Sequence, residues 1–466
     1  MKQKLLNLLF FIIFIEGFFT LSLELLSIRQ LVSFVGTGTE VLSIIISSVL
    51  LPLAFGYHYG GIRYKLKFKK DQSIKIRNLL SKNIFIIVIL SSLGFNLLSM
   101  NLFFYSIKLP ILIELTLFTM IFLAIPSFLL GQTVPLITNY FSKNDISKIT
   151  GKILFLSTFG SFAGSIITTL VLMRFIGISY TLLTIEIALL SVSIILSKKK
   201  LENLFKSILI ILLTFTLLEI SKEVLNIEYE NTYSTTSIIE LKKDSNTTER
   251  ILSINNSYSS MIDNNGRMFI IYEVMNKMLD QYTEKNILII GAGGFTAGLN
   301  NNENIITYVD IDPKLKEITE KKFLKRKING RFIVKEIRSH LNETNEKYDI
   351  IIVDAFTNKN SMPYSLLTRE FYILLKDHLN KNGTVITNMI MDIYKRDTFS
   401  IRFENTVKSV FKSVVLIPIQ EKIDFEYDKE KYIYKNVFFI LKEGQKDLGI
   451  YTDDKNTNSF DRIKDI

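Results

Sequence analysis

Long apolar runs fill the first half of this chain, and short alternating ones fill the second. Six runs reach the roughly 20 residues needed to cross a bilayer, near residues 5–28, 40–61, 83–105, 109–138, 153–176 and 178–197. The fourth contains Pro126 and Pro135, so a kinked or broken helix is expected there. A seventh run, Ile208 to Ile220, spans 13 residues and includes Glu219. That length suits an interfacial or re-entrant piece as well as a span.

From about residue 228 the pattern becomes that of a soluble α/β protein. Alternating segments at 235–242, 250–254 and 258–263 predict a small antiparallel sheet. Strand-like runs follow: NILIIG, IITYVDID, RFIVKE, YDIIIVDAF, TVITNMI, SVVLIPI and NVFFILKE, with helical patterns between most of them. This alternation predicts a doubly wound, mostly parallel sheet, with the last two runs as an antiparallel edge because no helical pattern separates them. The expected domains are a polytopic helical membrane domain at 1–222, a small β-region at 228–284, a Rossmann-like domain at 285–445 and a polar tail at 446–466.

Composition sharpens this division. The mean hydropathy of +0.27 over 466 residues is high for an all-soluble protein. The net charge is +11. Residues 1–220 hold 20 Lys and Arg against 9 Asp and Glu, and the remainder holds 36 against 36. The whole excess therefore accompanies the apolar runs, which fits topology-setting charge and acidic lipid rather than a nucleic-acid surface. The lysine-rich loop at 63–82, the loop at 139–152 and Lys198, Lys199, Lys200 and Lys206 are expected in the cytoplasm, with the N-terminus. Six crossings then leave the second half cytoplasmic, in a multi-pass protein of the cell membrane.

Cysteine is absent, which excludes disulfides, thiolate catalysis and cysteine-bound metal. His58, His340 and His378 lie too far apart to suggest a ligand cluster, so no metal is expected. Glu16, Glu24, Glu114 and Glu186 fall inside apolar runs, where an acid lines a wet path or bonds between helices. Glu24 is close enough to Arg29 in sequence to pair with it.

Candidate chemistry gathers at strand ends. In YDIIIVDAFTN an apolar strand buried on both faces closes on Asp354. Ligands of such sheets sit outside the carboxyl ends of the strands, so Asp354 faces a crevice. The first main strand ends in IIGAGGFTAGL, whose Gly291, Gly293 and Gly294 permit a tight turn and close approach to a ligand at a helix start. The second ends on Asp310, 16 residues past Gly294, where a carboxylate accepts bonds from ribose hydroxyls. Glu336 ends the third, either as an adenine contact or as an exposed acid paired with Lys335 or Arg338.

These residues resemble a known family. The soluble half is similar to the polyamine aminopropyltransferases, the spermidine and spermine synthases, and the whole chain to their membrane-fused bacterial branch. The matching segments are Glu230-Asn-Thr-Tyr233, Tyr272, GAGG, VDIDP, Glu336 with Arg338, YDIIIVDAF and MPYSLLTREFY. In the first half they are GFFTLSLELLSIRQL, GQTVPL, Gly151 and STFGSFAGS. The resemblance implies a class I methyltransferase-like fold and a homodimer. It also implies transfer of an aminopropyl group from decarboxylated S-adenosylmethionine to an amine such as putrescine. Asp354 would hold the amine and accept its proton; Gly291, Gly293, Gly294, Asp310 and Glu336 would hold the co-substrate, and Tyr233 and Tyr272 the amine.

Three departures bear on that reading. Thr357 replaces the second acid of the family's acidic loop, Gly294 replaces the acid of its glycine turn, and Ser234 replaces a Gln. Ordinary S-adenosylmethionine and methyl transfer therefore stay open as an alternative. A third reading is a transporter or membrane sensor whose soluble domain binds its ligand without catalysis.

Overall fold

The computed structural model describes residues 2–442 except 37, 64–69, 139–145, 245, 359–360, 395–396 and 420–433. Part of the lysine-rich loop, much of the 139–152 loop and the expected polar tail lie outside the described residues. The chain divides into two compact units, one of residues 1–35 and 39–232 and one of 36–38 and 233–466.

The first unit is helical. Its elements are α1 (Lys2–Val35), α2 (Thr39–Arg63), α3 (Lys70–Gly94), α4 (Leu97–Ser106), α5 (Ile111–Phe122), α6 (Ala124–Gly131), α7 (Thr133–Thr138), α8 (Ile146–Ile166), α9 (Met173–Ile176), α10 (Ile178–Leu196) and α11 (Lys200–Val224). A π-helical turn, Ile167–Leu172, joins α8 to α9, and a short strand β1 (Ile227–Glu230) follows α11. Among the described residues, seven helices or helical stretches are long and apolar enough to cross a membrane. The broken fourth run was legible from its prolines, but the breaks fall at Leu123 and Gln132. Pro126 and Pro135 are thereby third in α6 and α7, where a missing N–H leaves no intrahelical bond unmade.

Two expectations need correction. The third run is not one segment, because the helix stops at Gly94 and restarts after Asn96, whose side chain accepts the Leu98 and Ser99 N–H groups. The seventh run is not short, because α11 extends the apolar stretch at both ends to 25 residues. It also covers the full depth of its neighbours: Asn203 bonds Ser81 on α3 and Ser193 on α10, and Ser221 bonds Asn96 beyond the other end of α3. Three of the four acids in the apolar runs accept bonds within this unit. Ser157 donates to Glu16, Ser91 and Ser92 donate to Glu186, and the Leu109 N–H donates to Glu114. Arg29 donates to the Thr232 carbonyl and to Ser33.

The second unit opens with an antiparallel meander of β2 (Thr235–Lys242), β3 (Thr248–Ile254) and β4 (Ser257–Asp263), close to the predicted bounds. After α12 (Ile270–Leu279) comes the main sheet, formed by β5 (Asn286–Ile290), β6 (Ile305–Asp310), β7 (Arg331–Val334), β8 (Tyr348–Val353), β9 (Leu379–Asp392), β10 (Val414–Pro418) and β11 (Tyr434–Leu441). Its order is β10-β11-β9-β8-β5-β6-β7. Strands β5 to β9 are parallel, and β11 runs antiparallel to both β9 and β10. The expected edge is therefore modified, since β11 inserts between β9 and β10. The strand order reverses beside β5, which opens a crevice between the ends of β5 and β8.

The continuous apolar runs follow from burial on both faces. Leu288, Ile290, Ile351 and Val353 pack into a core on one side, with Phe371 and Phe403. Ile287, Ile289, Ile350 and Ile352 pack into a core on the other, with Tyr272 and Phe295. Each core buries side chains worth about 1.5–3 kcal/mol apiece against exposure.

Candidate active site

Asp354 follows β8 directly, and its N–H donates to the Ile290 carbonyl at 2.9 Å, which ties it to the end of β5. Asn388 Nδ2 donates to its Oδ1 at 2.8 Å, and the Tyr272 hydroxyl donates to its Oδ2 at 3.0 Å. The same hydroxyl lies 2.8 Å from the Ser259 carbonyl. Burial pushes the Asp354 carboxyl above the usual range, against the pull of the Asn388 and Tyr272 bonds. Burial and the Asp354 charge raise Tyr272 in turn, so it stays a neutral donor. Asp354 makes no ion pair among the described residues.

The glycine turn closes over this group from β5. Gly291 adopts φ +85°, and a Cβ there would lie 2.3 Å from the Asp354 carbonyl oxygen. Gly293 adopts φ +49°. The expected helix after the turn is absent: residues 291–300 form successive turns. Left-handed φ at Gly293, Phe295 and Gly298 breaks any helical run. No helix starts within residues 291–300, so no helix N-terminus adds positive potential at this turn.

Asp310 stands at the end of β6, and its two oxygens accept the Ala292 N–H at 2.9 Å and the Asp312 N–H at 3.0 Å. Burial raises its carboxyl, and the Asp312 charge adds to that. Each oxygen keeps lone-pair capacity for a further donor such as a ribose hydroxyl.

The other expected residues stand differently. Gly294 has no room for a side chain, since a Cβ would meet Phe323 and Ser260 at 2.6 Å, and its N–H donates to Ser260 Oγ at 3.0 Å. That donor is used inside the fold, so a ligand contact at Gly294 would come from its Cα rather than its N–H. Glu336 is exposed and caps α13 (Ile337–Glu343), accepting the Ser339 N–H at 2.8 Å. Lys335 pairs with Glu343, and Arg338 donates to Thr368. Tyr233 is 46% exposed, whereas Tyr272 on α12 is buried against Asp354. Thr357 turns into its own loop, with its N–H and hydroxyl both on the Ser361 carbonyl. Ser234 donates to Asp312.

Asn388 escaped the reading of the sequence. It lies in the run TVITNMI of β9, and a lone amide in an apolar strand is the same signal that marked Asp354. It is 4% exposed, and its Oδ1 has no hydrogen-bond partner. A buried unpaired acceptor is costly, so a donor from a bound molecule would satisfy it.

The site thus joins a glycine turn, a strand-end acid and a buried carboxylate on a Rossmann-like sheet of the order seen in class I methyltransferase-like folds. Comparison with known proteins narrows this. Residues 257–427 match the Spermine/spermidine synthase domain, so the C-terminal part of the chain carries a domain of that family. A polyamine aminopropyltransferase of Saccharolobus islandicus is 35% identical over 144 residues, 28% of this chain and 46% of the relative. Polyamine aminopropyltransferase 2 of Aquifex aeolicus is 30% identical over 120 residues, 24% of each chain. The chain thus spans under half the length of these relatives. The crystal structure of spermidine synthase from Thermotoga maritima aligns at 15% identity over 48% of this chain and 84% of that one, with a TM-score of 0.31.

Proposed function

We propose that the protein is a membrane-embedded aminopropyltransferase that uses decarboxylated S-adenosylmethionine and a small amine such as putrescine. The observation that carries this reading is the buried Asp354 carboxylate, with two neutral donors and no ion pair among the described residues. A cationic substrate supplies what is missing. In the transfer, the neutral amine nitrogen attacks the propyl carbon next to sulfur and the C–N bond forms. The C–S bond breaks, and the sulfur leaves as a neutral thioether. Asp354 takes the proton released by the new ammonium, and its raised pKa suits that role. Tyr272 and Asn388 fix its two oxygens, and the free Asn388 Oδ1 accepts from the amine. Asp310 would hold the ribose, and the turn at Gly291 and Gly293 would lie against the adenosyl group.

A second reading, methyl transfer from S-adenosylmethionine, draws on Gly294. The family's acid at that position has no space here, so one anchor for a propylammonium is lost.

The apolar helices support a membrane location. With the lysine-rich loops inside, six crossings keep residues from 225 onward in the cytoplasm, and a seventh crossing by α11 would put them outside. Protease accessibility of a C-terminal epitope in intact cells distinguishes the two sides. Calorimetric titration of the full chain in detergent with both sulfonium compounds tests the activity class. Tighter binding of the decarboxylated form supports aminopropyl transfer, preference for the ordinary form supports methyl transfer, and binding of neither by folded protein rejects both.

A further inference from the structure

Helices α3, α10 and α11 meet along a column of buried polar groups. At one level Ser81 and Ser193 hydroxyls are 2.7 Å apart and Asn203 donates to Ser81 at 2.7 Å. At a middle level Ser91 Oγ is 2.9 Å from Glu186 Oε1, Ser92 Oγ is 3.0 Å from both Glu186 oxygens, and Thr214 Oγ1 is 2.9 Å from Ser92 Oγ. At the far level Asn96 bonds the Leu217 carbonyl and Ser221. Every one of these side chains is more than nine-tenths buried. From Asn203 to Ser221 the column rises about 27 Å at 1.5 Å per residue, close to the depth of a bilayer core.

Two further features separate the column from ordinary glue between helices. Ser207 and Gln30 lie on it or at its end, Ser207 one helical heptad from Thr214, and Gln30 donating to the Phe95 carbonyl at the break before α4. Ser207 Oγ and Gln30 Oε1 are buried without partners. Polar atoms left open along an otherwise bonded column invite water. Moreover, the only acid in the column has no ion pair among the described residues. The charged groups of neighbouring helices are engaged elsewhere or distant along the axis. Arg77 bonds the Ile195 and Leu196 carbonyls, Glu219 takes Tyr180 and Lys222, and Glu202 takes Lys199 and Lys206. On α1, Glu16 takes Ser157 and Arg29 the Thr232 carbonyl, while Glu24 is half-buried; Arg174 stacks near Phe175, and Lys82 is exposed nine residues before Ser91.

We propose that Glu186 is a reversible proton-binding site within the helical unit, an inference that rests on reading that unit as membrane-spanning. The middle level satisfies both protonation states without moving a heavy atom. With Glu186 ionised, Ser91 and Ser92 donate to it and Thr214 donates to Ser92. With Glu186 protonated, its O–H donates to Ser92, Ser92 donates to Thr214, and Ser91 returns to the Val88 carbonyl 3.1 Å away. Release breaks only the Glu186 O–H bond, leaves the electron pair on the carboxylate and passes the proton to water.

The test is infrared difference spectroscopy of the full chain in lipid nanodiscs, stepping from acid to alkaline pH and following the carbonyl band of a protonated carboxyl. We expect a band that titrates reversibly, disappears in Glu186→Gln and moves its midpoint upward in Ser92→Ala, which removes a donor to the carboxylate. The Gln variant keeps the shape and the hydrogen bonds, and its melting profile verifies that it is folded. A spectrum unchanged in folded Glu186→Gln overturns the proposal, as does a Glu186 band that persists at every pH. Aminopropyl transfer by the second unit is read separately, so failure here is distinct from failure of the synthase reading.

Discussion

Replacing Gly291 by Ala probes the clamp that holds the turn against Asp354. The substitution forces an L-residue to φ +85° and drives its Cβ to 2.3 Å from the Asp354 carbonyl oxygen and 2.8 Å from Ala355 Cα. The left-handed backbone costs about 1–2 kcal/mol. Crowding against backbone that cannot rotate away adds about 1–3 kcal/mol. Gly266→Ala is the internal control, because its φ of +83° is the same and nothing lies within 4 Å of its Cβ. The difference between the two variants isolates crowding. At about 2–4 °C per kcal/mol for a unit of this size, Gly291→Ala should melt about 2–12 °C below Gly266→Ala. Pulse proteolysis of the full chain in detergent at rising temperature, with fragments of the second unit read by mass spectrometry, measures it. Relief of the clash moves Asp354, so substrate turnover should fall in Gly291→Ala alone. Equal melting of the two variants would refute the claim that the turn is pinned by the Asp354 backbone.

Asp354→Asn should raise the melting temperature of the ligand-free protein while transfer falls by about 10²–10⁴-fold. The sign follows from the raised carboxyl: the folded state binds more protons than the unfolded one between the two pKa values, so ionised Asp354 costs stability as pH rises through that window. Turnover, which needs the carboxylate, should fail on the acid side at a pH above the ordinary aspartate value, and a limb at that ordinary value would count against Asp354 as the proton acceptor. Asp310→Ala removes charged bonds worth about 1.5–3 kcal/mol, so calorimetry should read adenosyl binding weaker by about 10–150-fold. Gly294→Asp should destabilise the second unit, seen in the same proteolysis melt, because Ser260 and Phe323 occupy the space.

The parallel sheet was legible because burial on both faces leaves unbroken apolar strands, and the switch point follows from their order. Asp354 and Asp310 were legible for the complementary reason, since a charge that ends such a strand has nowhere else to face. The helix expected after GAGG failed because glycines that permit a turn give no measure of how many left-handed residues follow. The local partners of Gly294 and Glu336 were not legible, because Ser260 and the Ser339 N–H reach them only through the fold and through the helix that Glu336 caps. Asn388 was missed through attention to charge, although an amide inside TVITNMI breaks the apolar run as plainly as an acid does. The length of α11 was underestimated because Lys200, Glu202 and Lys206 interrupt its apolar stretch, yet their i,i+3 and i,i+4 spacing supports a helix.

The charge balance of the site constrains its substrate. Asp354 is the one carboxylate among the described residues that both Tyr272 and Asn388 orient, and the two family acids that would accompany it are not merely replaced. Thr357 is folded into its own loop, and Gly294 is sealed by Ser260 and Phe323, so the backbone itself has adapted to their absence. A diamine charged at both ends needs a second acid near its far end, or that end must reach water. A diamine such as putrescine would therefore extend its second ammonium away from Asp354, and competition between putrescine and a monoamine at equal concentration reads whether that end contributes to binding.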